Sequence, residues 1–134
     1  MRSGEALEIQ VKRMLEFDLQ EGKLGLSPGN AQIFLHKVYF SKDRDSDIVF
    51  DIVIEVRCPD ASEPWLAWIW ECQDAARPIA VDEVEEFASK LQRRGIHGVQ
   101  GTIASRNGLQ QSTITYAKSK HIGLLRQLAD GSTI

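Results

Sequence analysis

From residue 47 to residue 56 the chain alternates almost without interruption. Ile48, Phe50, Ile52, Ile54 and Val56 fall on one parity, and Asp47, Val49, Asp51, Val53 and Glu55 on the other. Successive side chains of a strand point to opposite faces, so this period predicts a strand with one apolar face and one face carrying carboxylates. Residues 58–64, with two prolines, an Asp and a Ser, read as a turn, and 65–73 as another strand. So short a connection predicts an antiparallel hairpin. Upstream, Leu7, Val11, Met14 and Leu15 mark one stripe of a helix over residues 4–19. A loop over 22–30 and a strand over 32–40 follow. Downstream the period lengthens: Val84, Phe87, Ala88 and Leu91 fall at i, i+3, i+4 and i+7, predicting a helix over 82–94. Asp82 and Glu85 read as its capping box and Gly95 as its stop. A strand over 98–104, a turn at Arg106-Asn107-Gly108, a basic helix over 109–120 and a short strand over 122–125 complete the chain. The order is α-β-β-β-α-β-α-β. It predicts an α/β (α+β) fold, a mixed sheet with helices packed on it.

Facing residues of an antiparallel hairpin share a constant index sum and lie on the same side of the sheet. A turn centred on Ala61 sets that sum at about 122, so Asp51 faces Glu71. Gln73 shares the parity of Glu71 and projects from the same face. Two carboxylates on neighbouring strands make a hard-oxygen site for Mg²⁺ or Mn²⁺, which could activate water and neutralise charge on a scissile phosphate. A single acid pair on a strand face is more often solvated surface. Here Glu71 follows Trp68-Ile69-Trp70, where a charge is costly unless something compensates it.

At 134 residues, 43% hydrophobic and 26% charged, the whole of 1–134 is expected to form one domain with its own core. The net charge of −3 argues against a nucleic-acid binder, but it averages two unlike halves. Acids gather between Asp43 and Asp74. From Phe87 to Ala129 there is no Asp or Glu, while Lys90, Arg93, Arg94, Arg106, Lys118, Lys120 and Arg126 all lie there. An acidic centre beside a basic flank suits a metal site that contacts a polyanion. The start of the chain leads into an amphipathic stretch instead of an apolar signal region. The longest apolar run, 65–70, is far short of the ~20 residues of a membrane span. Cys58 and Cys72 lack metal or disulfide spacing and are expected as thiols. A cytoplasmic protein, with no membrane partner, is the expectation.

The quoted residues resemble those of a known family. Asp51 within Phe50-Asp51-Ile52-Val53-Ile54-Glu55, followed by Trp68-Ile69-Trp70-Glu71-Cys72-Gln73, is similar to the PD-(D/E)xK nuclease superfamily, in its Mrr-like restriction endonuclease branch. The later elements fit its pattern as well: Val81 to Phe87 as the next helix, Gly98 to Ser105 as the next strand, Gly108 to Ala117 as a helix and His121 to Leu125 as the closing strand. The resemblance covers nearly the whole chain and implies a restriction-endonuclease-like core. It implies Asp51 and Glu71 as metal ligands and catalytic residues, with Glu8 matching the glutamate many members carry on the first helix. The family's lysine position is Gln73 here. Gln can hydrogen-bond a water but brings no charge. Either the activity is weakened or lost, or another cation substitutes. Arg77 and Lys90 are the candidates, Lys90 the better placed if its helix face turns inward.

The implied activity is metal-assisted hydrolysis of DNA phosphodiesters, as in restriction or repair. The rival is a degenerate nuclease fold kept as a DNA-binding or dimerisation module. A homodimer is a candidate assembly, because nucleases of this kind that cut both strands often pair. Arg106, with Asn107 and the helix opening at Gln110 to Ser112, could hold a phosphate, and Lys118 and Lys120 are candidate DNA contacts; each is equally explained as polar surface. Trp68 and Trp70 should pack under a helix on the face opposite Asp51. His36, His97 and His121 show no metal spacing, and Asp43, Asp45 and Asp47 lack the glycine and distal Glu of a calcium loop. A small-molecule enzyme finds no glycine-rich phosphate loop or nucleophile elbow.

Overall fold

A computed structural model describes residues 3–41, 44–74, 77–93 and 98–127. Helix α1 (Ser3–Gln20) leads through a short 3-10 turn (Pro28–Asn30) into β1 (Ala31–Ser41), β2 (Ser46–Val56) and β3 (Leu66–Gln73). Then follow α2 (Val81–Arg93), β4 (Val99–Ser105), α3 (Gln111–Ser119) and β5 (Ile122–Arg126). The five strands form one sheet in the order β1-β2-β3-β4-β5. The first three pair antiparallel; β3 with β4 and β4 with β5 run parallel, each parallel connection crossing through a helix as it must. This is the mixed sheet expected of a restriction-endonuclease-like core, with element order α-β-β-β-α-β-α-β. No described helix is long and apolar enough to cross a membrane.

The sheet is covered on both faces. Leu7, Val11 and Leu15 of α1 are fully buried and pack on Ile52, Ile54, Val56, Trp70 and Ala104. On the other face, Val84 and Phe87 of α2 and Ala117 of α3 close over Val53, Ile69 and Ile103. Each large side chain removed from water here stabilises the fold by about 1.5–3 kcal/mol. Trp70 is buried in the α1 core with Trp68 packed beside it, as the sequence reading placed them. Trp65 lies before β3 and is exposed. Gly98, at φ 71°, begins the return to the sheet where a Cβ would run into the Trp65 carbonyl.

The alternation of β2 does not give one apolar and one polar face. Ile52, Ile54 and Val56 enter the α1 core, whereas Ile48 and Phe50, of the same parity, join the α2/α3 core together with Val53. The β1–β2 ladder explains the switch. It runs from Ala31↔Val56 to Leu35↔Ile52, skips one step, and resumes in unchanged register at Lys37↔Phe50. The skipped step is His36 opposite Asp51, and His36 has φ 53°. The hairpin turns there, and its outer half swings onto the α2/α3 face. Tyr39 accordingly tilts against Phe50 at 6.0 Å between ring centroids and donates to Glu55 Oε2 at 2.5 Å. Glu55, read from sequence as part of the carboxylate face, is buried and shared with Arg57 at 3.0 Å, so it is spent inside the fold.

Two boundaries also shift. Helix α2 begins at Val81, with Glu83 N–H bonded to the Ala80 carbonyl, so Asp82 lies in the first turn and is not the cap. There, with Glu83, it meets the positive end of the helix. Helix α3 begins at Gln111, because Leu109 bridges to Ile79 and Thr113 Oγ1 ties the helix start to the Ile79 carbonyl at 2.8 Å. Gly95, the expected stop of α2, and His97 and Asp43 lie outside the described residues.

Candidate active site

The β2–β3 ladder has an index sum of 122, from Val56↔Leu66 to Ile52↔Trp70, which is the register the turn length implied. The next step would pair Asp51 with Glu71, and there the strands part. Cys72 N–H is bonded to Asp51 Oδ2 at 2.8 Å, so the aspartate side chain satisfies a donor that the neighbouring strand would otherwise face. At this fork the Asp51 carboxylate is near enough to Glu71 for its charge to act on it.

Glu71 emerges on the face covered by α2. Its side chain is 18% exposed, and Oε2 lies 3.8 Å from Lys90 Nζ. Lys90 is one turn beyond the buried Phe87, so its stem follows the apolar stripe and its ammonium reaches over the Phe50 ring, 5.0 Å from the centroid. Burial, first, and the neighbouring Asp51 charge, second, push Glu71 up to about 7; Lys90 pulls the other way. Glu71 therefore favours its protonated form up to near neutral pH. The Cys72 thiol, between β3 and α1, is pushed up by burial and then by the charges of Asp51, Glu8 and Glu71. It stays protonated and is no nucleophile.

A cleft of about 310 Å³ opens beside Glu71, lined also by Gln73, Glu83, Glu86, Phe87, Lys90 and Arg93. Gln73 thus shares the cleft with Lys90. Arg93 follows Lys90 by three residues, on the same side of α2, and its buried Nε has no hydrogen-bond partner among the described residues.

The remaining sequence candidates are dispersed. Arg77 is exposed and pairs with Glu83 at the start of α2. Glu8 is buried on the α1 side, with Oε2 2.6 Å from His36 Nε2. Arg106 Nε lies 3.6 Å from Asp74 Oδ2, just past β3, so its guanidinium is engaged by the strand that carries Glu71. Lys118 and Lys120 are exposed at the far end of α3, Lys120 lying over Tyr116. Sequence reading gave no role to Arg93 or to His36. The i, i+3 spacing from Lys90 was a legible signal for the first; nothing in the sequence pointed to the second.

The donor set suits a small hard cation. Mg²⁺ is commonly held by one or two carboxylates and completes its shell with water, and Asp51 with Glu71 provides that pair. Among the described residues no group of three His, Cys, Asp or Glu side chains could hold one ion. Glu8 therefore stands outside the candidate metal set.

No known family profile matches the sequence, and no curated protein matches it. Among solved structures the chain is similar to Can2 from Sulfobacillus thermosulfidooxidans, determined in complex with cyclic tetra-adenylate, with a TM-score of 0.63 and 15% identity over 90% of this chain. It is also similar to AF1548, a protein of unknown function, with a TM-score of 0.55 and 13% identity over 81% of this chain. At these identities the likeness is one of fold. The chain spans 55% of the AF1548 chain and 31% of the Can2 chain.

Proposed function

We propose that the chain is a metal-dependent DNA endonuclease domain of the PD-(D/E)xK type, Mrr-like, in which Lys90 supplies the cation absent from position 73. The observation that carries this reading is the Lys90 ammonium 3.8 Å from Glu71 Oε2, in the cleft that Gln73 also lines. Asp51 and Glu71 would hold Mg²⁺ or Mn²⁺. When bound, such an ion supplies Lewis acidity and lowers the pKa of a coordinated water. A cation bound there would take the place of the proton that burial, and then the Asp51 charge, favour on Glu71. Lys90 Nζ donates hydrogen bonds toward a phosphate oxygen and opposes the charge that develops there. The Gln73 amide orients a water without adding charge. Phe50 and Phe87 wall the site on its apolar side, which lowers the local dielectric and strengthens each of these contacts. Thiols at Cys58 and Cys72 accord with a cytoplasmic setting, and pairing of two copies would let the domain cut both strands.

Supercoiled plasmid incubated with Mg²⁺ or Mn²⁺ tests the reading. The native chain is expected to nick it, and Asp51→Ala to lose cleavage and Mn²⁺ binding together. A native chain that binds DNA, neither cuts it nor takes up Mn²⁺, would instead be the non-catalytic module.

Arg93 belongs to the same cleft as a phosphate contact. Its buried Nε has no hydrogen-bond partner among the described residues, and Arg recognises phosphate oxygens in a bidentate manner. Arg93→Ala is expected to weaken DNA binding, measured in Ca²⁺ by fluorescence anisotropy, and to reduce the slope of log affinity against log salt by about 1. An unchanged slope would remove Arg93 from the interface.

A further inference from the structure

We propose that His36 is a positioning residue of this site, setting the direction of Asp51 through its backbone and the seat of Glu8 through its ring. The inference rests on the reading of Asp51 and Glu71 as a cation-binding pair.

Left-handed backbone is uncommon outside glycine. In the described chain the other non-glycine examples are Asp45, Asp60 and His121, all in turns between elements. His36 is inside β1, with paired residues on both sides. Its register partner is Asp51, the one step that the β1–β2 ladder omits. Since register is unchanged across the gap, no residue has been inserted; the strand has been rotated in place. That rotation carries Ile48 and Phe50 to the core opposite Ile52 and Ile54. Asp51, at the pivot, is released from ladder bonding to β1 and reaches β3, where it takes the Cys72 N–H and meets Glu71.

The ring makes the second link. Glu8 is a buried carboxylate, and His36 Nε2 at 2.6 Å is its hydrogen-bond partner. A buried carboxylate without a partner is costly, so the ring fixes where α1 sits against the rotated strand. His36 is thus the residue through which β1, α1 and the Asp51 strand meet.

Mn²⁺ titration by calorimetry, on metal-free protein shown by thermal unfolding to be folded, reads this out without reference to turnover. His36→Gln carries an amide nitrogen at about the reach of the ring Nε2 and can donate to Glu8; it should bind Mn²⁺ as the native chain does. His36→Gly keeps the backbone and loses the ring, and should bind more weakly. His36→Val opposes the backbone as well, and should lose about 10–100-fold in affinity. Gly and Val variants that bind like the native chain, while Asp51→Ala does not, would overturn the role of His36 and leave the metal pair standing. Native protein that takes up no Mn²⁺ would overturn the metal pair itself, and this inference with it.

Discussion

Replacing Lys90 by alanine is expected to slow plasmid cleavage by about 10²–10³-fold while leaving Mn²⁺ affinity close to native. The split follows from position. Lys90 Nζ approaches Glu71 at 3.8 Å without being a metal donor, so its charge acts on the phosphate and on the carboxylate's proton, and the two oxygens that would hold the ion are untouched. Lys90→Ala combined with Gln73→Lys moves the cation back to the strand from which the family's motif presents it, and should recover much of the lost rate. Gln73→Lys alone sets two ammonium groups in one cleft and should gain little. Cleavage undiminished in Lys90→Ala would show that the needed charge comes from elsewhere in the chain.

The second large effect is on stability, and its sign is the reverse of most substitutions. Glu71 is pushed from an ordinary 4.5 up to about 7, by burial first and by Asp51 second. Between those two pH values the native state holds a proton that the unfolded chain has released. Stability contributed by this group is therefore full below pH 4.5 and falls as pH rises through 7, by on the order of 2–3 kcal/mol. Glu71→Gln removes the titration. In metal-free buffer at pH 8 the variant should unfold at higher urea than the native chain, by on the order of 2–3 kcal/mol, and the difference should vanish near pH 4. Mn²⁺ at a hundred times its dissociation constant should close this gap, adding about 2.7 kcal/mol to the native chain alone. A Glu71→Gln variant no more stable than native at pH 8 would mean that the pair carries no such penalty.

How far these residues could be read in advance depended on how local the deciding geometry was. The partnership of Asp51 and Glu71 was legible because a turn centred on Ala61 fixes the hairpin register, and register fixes which side chains face each other. Lys90 was legible in outline because Val84, Phe87 and Leu91 define the inward stripe of α2 and Lys90 borders it. The two-sided burial of β2 was not. Its clean alternation predicts one apolar face, and only a left-handed residue in the adjacent strand carries Ile48 and Phe50 to the other core. A histidine at position 36 gives no sign of that, as a glycine would. Along the same strand Glu55 is consumed by Tyr39 and Arg57, while Asp51 accepts from the Cys72 N–H at the fork of β2 and β3. Glu8 was legible as a helix glutamate by resemblance; its bond to His36 depends on how α1 is laid across β1 and has no sequence signature. The charge reading divided similarly. The acid-free stretch after Phe87 correctly drew attention to a basic flank, but within it Lys90 and Arg93 face the cleft, Arg106 is engaged by Asp74, and Lys118 and Lys120 lie apart on α3.

The most direct test is an anomalous difference map from crystals soaked in Mn²⁺. One peak is expected at the fork of β2 and β3, within about 2.0–2.3 Å of both an Asp51 and a Glu71 carboxylate oxygen, with Lys90 Nζ still facing the cleft. A map without density at the fork would contradict the account.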